Sequence, residues 1–130
     1  MPHHFEFDPE NRILLLVGEG DVHPQELQQI NDQIRVRVEQ LHPAAGIMDY
    51  TAVNTFELPS EMVRMAARQP SPYPEDTPRF IVAPSDYLFG LSRMYQLVAN
   101  RPKEKLQVVR TRDEALAAIG ARNAQFEKVD

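Results

Sequence analysis

The side chains best suited to bind a ligand or partner follow predicted β-strands, where hydroxyl, amide and guanidinium groups recur. Such groups can hold an anion through hydrogen bonds and charge, and helix N-termini at the same places would add to the attraction. The residues proposed for anion binding are Ser85, Arg110 and Arg112, beside a polar run that includes Thr51, Asn54 and Thr55. Because the carboxyl ends of neighbouring parallel strands meet at one edge of a sheet, we expect these residues on a single rim. Ser85 and Thr111 also have a simpler interpretation, as helix caps.

No residue pattern in the chain specifies a reaction. The four histidines are scattered without the spacing of metal ligands, and the absence of cysteine excludes thiolate sites and disulfides. Gly18-Glu19-Gly20 lacks the third glycine of a dinucleotide fingerprint, and no serine has the context of a nucleophile elbow. We therefore expect no cofactor and no metal, and the sequence favours a binding module over an enzyme.

Size and charge limit the protein class. With 130 residues, 42% of them hydrophobic, the sequence predicts one domain over 1–130, with a core over 5–120 and a helical or frayed tail over 121–130. A net charge of -5 disfavours nucleic acid as a partner, since phosphate backbones are bound by basic faces. No apolar run approaches a membrane span, and the first residues do not resemble a signal peptide. The sequence thus indicates a cytoplasmic protein.

Hydrophobic periodicity predicts an α/β fold with the element order β-β-α-β-α-β-α-β-α. The predicted strands are Phe5–Phe7, Ile13–Val17, Gly46–Tyr50, Arg79–Ala83 and Lys105–Arg110, and the predicted helices begin near Pro24, Pro59, Asp86 and Arg112. The first two strands form a hairpin, and the strand–helix–strand units that follow imply parallel neighbours joined by right-handed crossovers. The expected sheet is mixed, with about five strands and about four helices.

The stretch from Gly46 to Ser60 is the best place for function. A buried strand, Gly46–Tyr50, is followed by residues 51–55, read as a polar loop, and by a helix led by Pro59. Loops between strands and helices at the carboxyl edge of an α/β sheet are where ligands and partners usually bind. This pattern places a site without naming its partner.

Four segments of the sequence resemble the SpoIIAA-like group, relatives of the STAS domains of bacterial anti-sigma-factor antagonists. They are Ile47–Thr51, Arg79–Pro84, Phe89–Gln96 and Val109–Ala115, and the resemblance extends roughly over Arg12–Gly120. It implies a layered α/β fold and a small bacterial regulatory or binding module. It carries no catalytic signature.

The resemblance also draws attention to two hydroxyl groups. STAS antagonists carry a phosphorylatable serine in an Asp-Ser-Ser-Gly setting, at the start of the helix after the central strand. Ser60 is the nearest hydroxyl to that helix start, but the flanking Asp-Ser and Gly are missing. Asp49-Tyr50-Thr51 keeps the Asp-x-Ser/Thr form, so Thr51 is the better-preserved position.

Two functions from different classes follow. The first is a regulatory module that binds a protein partner, or a second copy of itself, through the loop and helix after the central strand. The residues proposed for this contact are Thr51, Asn54, Thr55, Phe56, Leu58, Ser60 and Met62, and exposed apolar side chains are expected among them.

The second function is binding of an apolar or lipid-like small molecule in a pocket between helices and sheet. The proposed lining is Met62, Met65, Phe89, Gly90 and Met94, where adaptable methionines would shape the pocket and the glycine would give access. The same residues could instead form ordinary core.

Overall fold

A computed structural model describes residues 3–56, 58–99 and 105–129, with Phe56 described by its backbone only. The strands are β1 (His3–Asp8), β2 (Ile13–Val22), β3 (Ala45–Phe56), β4 (Arg79–Val82), β5 (Leu106–Val109) and β6 (Glu127–Val129). The helices are α1 (Glu26–Leu41), α2 (Ser60–Arg68), α3 (Asp86–Ala99) and α4 (Arg112–Ile119). The predicted α/β class, the hairpin and the four helices are confirmed for these residues.

The described strands form a single mixed sheet in the order β5-β4-β3-β2-β1-β6. Strands β2 to β5 are parallel neighbours, and β1 pairs antiparallel with β2. The sixth strand corrects the expected count of about five. Residues 127–129 lie in the predicted tail, and they pair antiparallel with β1 so that Val129 stands opposite Phe5.

The direction of the chain across the sheet decides which face each helix covers. Because β2, β3, β4 and β5 follow one another in the same direction, right-handed crossovers place α1, α2 and α3 on one face. On that face the α1 stripe of Ile30, Ile34 and Val38 packs with Leu14 and Leu16 of β2. On the opposite face α4 packs through Ala115, together with Ile13, Leu15, Ile47, Phe80 and Val82.

Two strands are longer than the sequence predicts. β2 does not end at Gly18, and residues 51–55, predicted as a loop, belong to β3. Instead Glu19 to Val22 of β2 pairs in parallel with Ala52 to Phe56 of β3, across two register irregularities. Backbone hydrogen bonding between neighbours is indifferent to side-chain polarity, so a polar run can extend a strand. β4 pairs with β3 only up to Asp49, so this extension continues past the end of β4.

The proline-rich segment between α2 and β4 packs against the sheet through Tyr73. Its ring lies on β3 at Gly46, where a Cβ atom would come within 2.8 Å of Tyr73 Cε1 and overlap the hydroxyl group. Tyr73 is buried, and its ring joins the core cluster under α1. Glycine at position 46 is therefore required for this close approach.

Candidate functional site

Asp49 is the centre of the polar rim at the carboxyl edge of the sheet. Its side chain is buried, with 3% of the residue exposed. Oδ1 accepts hydrogen bonds from the Thr51 backbone N–H at 2.8 Å and from Thr51 Oγ1 at 2.5 Å. Oδ2 accepts a 2.7 Å hydrogen bond from Arg112 Nε, in the first turn of α4. One carboxylate thus orients an exposed threonine and an arginine from a different element.

Arg110 occupies the neighbouring part of the rim. Its Nη1 lies 2.9 Å from Asp86 Oδ1 and 3.3 Å from the carbonyl oxygen of Pro84. The guanidinium also lies over the Phe89 ring, 4.1 Å from the ring centroid. Ser85 Oγ accepts the Leu88 backbone N–H at 3.1 Å, which caps the start of α3. Residues that follow β4 and β5 therefore share this edge with Asp49 and Thr51 of β3.

This geometry limits the predicted anion site of Ser85, Arg110 and Arg112. Both guanidiniums are paired with carboxylates, and Ser85 caps α3. The other predicted cap is also present, because Thr111 Oγ1 accepts the Glu114 backbone N–H at 3.1 Å. An incoming anion would have to compete with Asp49 and Asp86 for the two arginines.

The apolar side chains at the start of α2 are less exposed than a contact surface there would require. Leu58 is buried, with 5% exposed, whereas an exposed apolar side chain is expected there. Met62 is half-buried, Ser60 is exposed at the first helical position, and Met65 is 53% exposed one turn further on. Leu58 points into the space between the helices and the sheet, which it helps to line. The side chain of Phe56 lies outside the described residues.

That space is an open cleft of about 290 Å³, lined by α1, α2 and α3 and by the sheet on which they lie. Most of its lining is apolar. The lining includes Leu27, Ile30 and Ile34 of α1, Leu58, Met62, Val63, Met65 and Ala66 around α2, Met48, Tyr50, Arg79 and Ile81 of the sheet, Leu88, Leu91, Ser92 and Tyr95 of α3, and Tyr73. Its volume lies just below the range of small-molecule sites, which is about 300–1,000 Å³.

Two of the five residues predicted to line an apolar pocket, Met62 and Met65, line this cleft. Phe89, Gly90 and Met94 do not. α3 presents Leu88, Leu91, Ser92 and Tyr95 to the cleft, which is the i, i+3, i+4, i+7 face of a helix, so the predicted residues point elsewhere. Gly90 is exposed, and nothing lies within 4 Å of a Cβ atom built on it, so it marks neither an access route nor close packing.

Tyr50 and Tyr73, which line the cleft, are neutral near pH 7. Burial raises the pKa of Tyr50 to about 12, and the nearby Tyr95 adds to the effect. Burial also raises the pKa of Tyr73, although Arg79 opposes the change. Arg79 itself is buried, with 2% exposed. Sequence reasoning missed Tyr73 and Arg79, since a proline-rich run and the first residue of a strand gave no signal of a shared pocket.

Comparison with solved structures identifies the architecture. The fold superposes on the anti-sigma factor antagonist SpoIIAA in its unphosphorylated form with a TM-score of 0.58 and 14% sequence identity, covering 94% of this chain and 100% of that one. The chain has a SpoIIAA-like fold. An anti-sigma factor antagonist from Mycobacterium paratuberculosis gives a TM-score of 0.55 at 15% identity, covering 92% of this chain and 96% of the other. No family model and no curated protein matches the sequence.

This SpoIIAA-like fold presents two regions with different chemistry. The rim offers hydroxyl and charged groups on an exposed edge, and the cleft offers an apolar volume under α1 and α2. Among the described residues, no helix is long and apolar enough to cross a membrane, and no group of three or more His, Asp or Glu side chains is placed to hold a metal ion.

Proposed function

We propose that this chain is a regulatory module that binds a protein partner at the rim, through the end of β3 and the first turn of α2. The observation that carries the proposal is the Thr51 hydroxyl, which is held on an exposed residue by the buried Asp49 carboxylate. The likeness of the fold to two anti-sigma factor antagonists supports a role in regulation through protein contacts.

The end of β3 suits a contact made by hydrogen bonds. β4 pairs with β3 only up to Asp49, so Ala52 to Phe56 pairs along one side with β2, and no described strand pairs with it on the β4 side. A strand edge with open backbone groups can accept another chain. Thr51, Asn54 and Thr55 are exposed there, and Ser60 is exposed at the start of α2. Phe56 and Met62 remain proposed contacts, whereas the buried Leu58 is not among them.

The position of Thr51 also makes it the hydroxyl best placed for a regulatory modification. A phosphate on Thr51 would stand beside the Asp49 carboxylate, so charge repulsion would break the present hydrogen bonds. Arg112, which already bonds to Asp49, could then turn to the phosphate. Partner binding and modification would in this way use the same side chains.

The test is capture of partners from the source cell by the purified protein, comparing wild type with Thr51→Asp and Asn54→Arg. Val36→Asp, on the exposed side of α1, is the matched control for an added charge. We expect the same partner to be lost in both rim variants and kept in the control. Retention of every partner in both rim variants, with circular dichroism showing that they are folded, would refute the rim as the contact. Sedimentation of the pure protein tests a second copy as the partner.

The cleft favours a second candidate function, the binding of a small apolar molecule. The observation that supports this function is the volume of the cleft, about 290 Å³, with methionine, leucine and isoleucine side chains along its walls. Methionine side chains adapt to ligands of irregular shape. Mass spectrometry of the protein purified under native conditions should detect a bound molecule that is released on unfolding. A cleft-filling variant, Ala66→Phe, should lose it.

A further inference from the structure

Over the described residues, the cleft presents no accessible charge to a ligand. Arg79 is the one formally charged residue in its lining, and only 2% of that residue is exposed. Its Nη1 donates a 2.6 Å hydrogen bond to Ser71 Oγ, and its guanidinium carbon lies 5.7 Å from the Tyr73 ring centroid. The guanidinium is therefore part of the packing of the proline-rich segment on β4. The rest of the described lining consists of apolar, hydroxyl and amide side chains.

This lack of accessible charge disfavours ionised ligands. A carboxylate or phosphate that enters the cleft gives up water and meets no opposite charge in return, which is strongly unfavourable in an apolar volume. A neutral aliphatic molecule gains from the removal of its apolar surface from water and has no such charge to desolvate. The lining therefore selects neutral molecules over acids of the same length.

Ser92 supplies a polar group within this apolar lining. It lies on the face of α3 that lines the cleft, together with Leu88 and Tyr95, and only 5% of it is exposed. Its side chain makes no hydrogen bond to another described residue. A buried hydroxyl without a partner is unfavourable, and a serine hydroxyl can donate one hydrogen bond and accept others. A ligand oxygen beside Ser92 Oγ would supply the missing partner.

The volume of the cleft limits the length of the ligand. A water molecule takes up about 30 Å³, so a cleft of about 290 Å³ holds on the order of ten groups of that size. Ile30 and Ile34 of α1 and Met62 of α2 are among the side chains that would contact an aliphatic chain. An unbranched alcohol of about eight carbons has close to that many non-hydrogen atoms.

We infer that the cleft binds a neutral aliphatic molecule with a single hydroxyl or carbonyl oxygen, which hydrogen-bonds to Ser92 Oγ. The inference rests on the second proposed function, small-molecule binding in the cleft. It adds the chemical class of the ligand and the residue that recognises its oxygen. Apolar burial supplies the affinity, the uncharged lining excludes acids, and the Ser92 hydroxyl distinguishes an alcohol from a hydrocarbon of the same size.

Calorimetric titration of the whole chain with 1-octanol and octanoate at pH 7 tests the selection against charge. The two probes have chains of the same length and differ in the charge of the head group. We expect wild type to bind 1-octanol at least tenfold more tightly than octanoate. Octanoate binding as tight as that of 1-octanol, or tighter, would refute the inference.

Ser92→Ala tests the recognition of the oxygen, with 1-bromoheptane as a probe of similar size that has no oxygen. The variant should lose about two- to tenfold in affinity for 1-octanol and keep its affinity for 1-bromoheptane, because one hydrogen bond is removed and the apolar contacts remain. Gln29→Ala removes an exposed polar side chain of α1 outside the cleft, and it should bind every probe like wild type. Unchanged affinity of Ser92→Ala for 1-octanol would refute the role of Ser92. If that variant does not fold, Ser92→Cys, a weaker hydrogen-bonding group of similar size, takes its place.

The outcomes separate the inference from the function on which it rests. Equal affinity of wild type for 1-octanol and octanoate would overturn the selection of neutral ligands and leave small-molecule binding in the cleft intact. No binding of any probe, or binding unchanged in the cleft-filling variant Ala66→Phe, would refute both. None of these results bears on partner binding at the rim.

Discussion

Arg112 Nε lies 2.7 Å from Asp49 Oδ2, so the first residue of α4 is joined to the central strand of the sheet across 63 positions of sequence. The carboxylate is 4% exposed and the arginine side chain 38% exposed. The pair therefore lies at the boundary between core and solvent. It fixes α4 on its face of the sheet and leaves the other oxygen of Asp49 to orient Thr51.

A double-mutant cycle on this pair should show strong coupling. Arg112→Met is expected to cost about 1–3 kcal/mol, because a buried carboxylate loses a charged hydrogen-bond donor. Partial exposure of the arginine keeps the loss at the lower end, since water can replace it. Urea denaturation of both single variants, Asp49→Ala and Arg112→Met, and of the double variant measures the coupling. Additivity within about 0.5 kcal/mol would show that the two side chains do not interact.

Alanine at two glycine positions should have opposite effects. Gly46→Ala brings a Cβ atom against the Tyr73 ring and is expected to destabilise the protein by about 1–3 kcal/mol. Gly90→Ala meets nothing within 4 Å in the interior of α3 and is expected to stabilise it by about 1 kcal/mol. Thermal unfolding followed by circular dichroism measures both. A neutral Gly46→Ala would mean that Tyr73 does not lie against β3.

Asp8 should make stability depend on acid pH. Burial raises the pKa of its carboxyl. Hydrogen bonds from the Asn11 side chain and from the backbone N–H groups of Asn11 and Glu10 lower that pKa by more than burial raises it, so the net pKa is below 3.8. Stability from this group is present above about pH 3.8 and is lost as the pH falls through the lower native value.

Asp8→Asn tests this dependence. Because the neutral amide accepts hydrogen bonds less strongly than a carboxylate, we expect the variant to be less stable at pH 7 by about 1 kcal/mol. The difference in urea midpoint between wild type and variant should narrow below about pH 3.8. A difference that stays constant from pH 7 to pH 2 would contradict the lowered pKa.

The pairing of β6 with β1 predicts that substitutions at neighbouring residues of 127–129 differ in their effect on stability. Val129 stands opposite Phe5 and packs with the core cluster under α1, so Val129→Asp places a charge against apolar side chains. We expect a loss of about 1–3 kcal/mol. Lys128 is exposed, and Lys128→Gln should change stability by less than about 0.5 kcal/mol. Equal effects in denaturant titrations would indicate that β6 is not paired in this register.

The sequence predicted the helices and strands in which apolar side chains form a regular stripe or a continuous run. The α1 stripe and the buried runs of β2, β3 and β4 could be assigned from the sequence, because apolar side chains mark the surfaces that are buried. The extension of β3 was missed because its side chains are those of a loop, while its cause is backbone pairing with Glu19–Val22 of β2. Pairing between distant backbones leaves no periodic trace in either sequence.

The rim and the cleft were predicted to different extents. Thr51 and Arg112 meet at Asp49 because β4 and β5 end level with Asp49 of β3, which follows from the parallel register and needs no side-chain detail. The lining of the cleft depends on which face of α3 is turned toward it. The prediction placed Phe89 and Met94 there, whereas the structure places Leu88 and Leu91 there. Arg79 borders the cleft with Ser71 and Tyr73 packed on its guanidinium, contacts with the proline-rich segment that no sequence period marks.

The neighbouring positions of β1 and β6 bear on how the molecule is made. Residues 127–129 are synthesised after β1 to β5 and pair with β1, so this border of the sheet stays open until they emerge from the ribosome. A nascent chain stalled before this point would expose β1 to β1 of another copy, an opportunity for swapping or aggregation that ends when β6 pairs with β1.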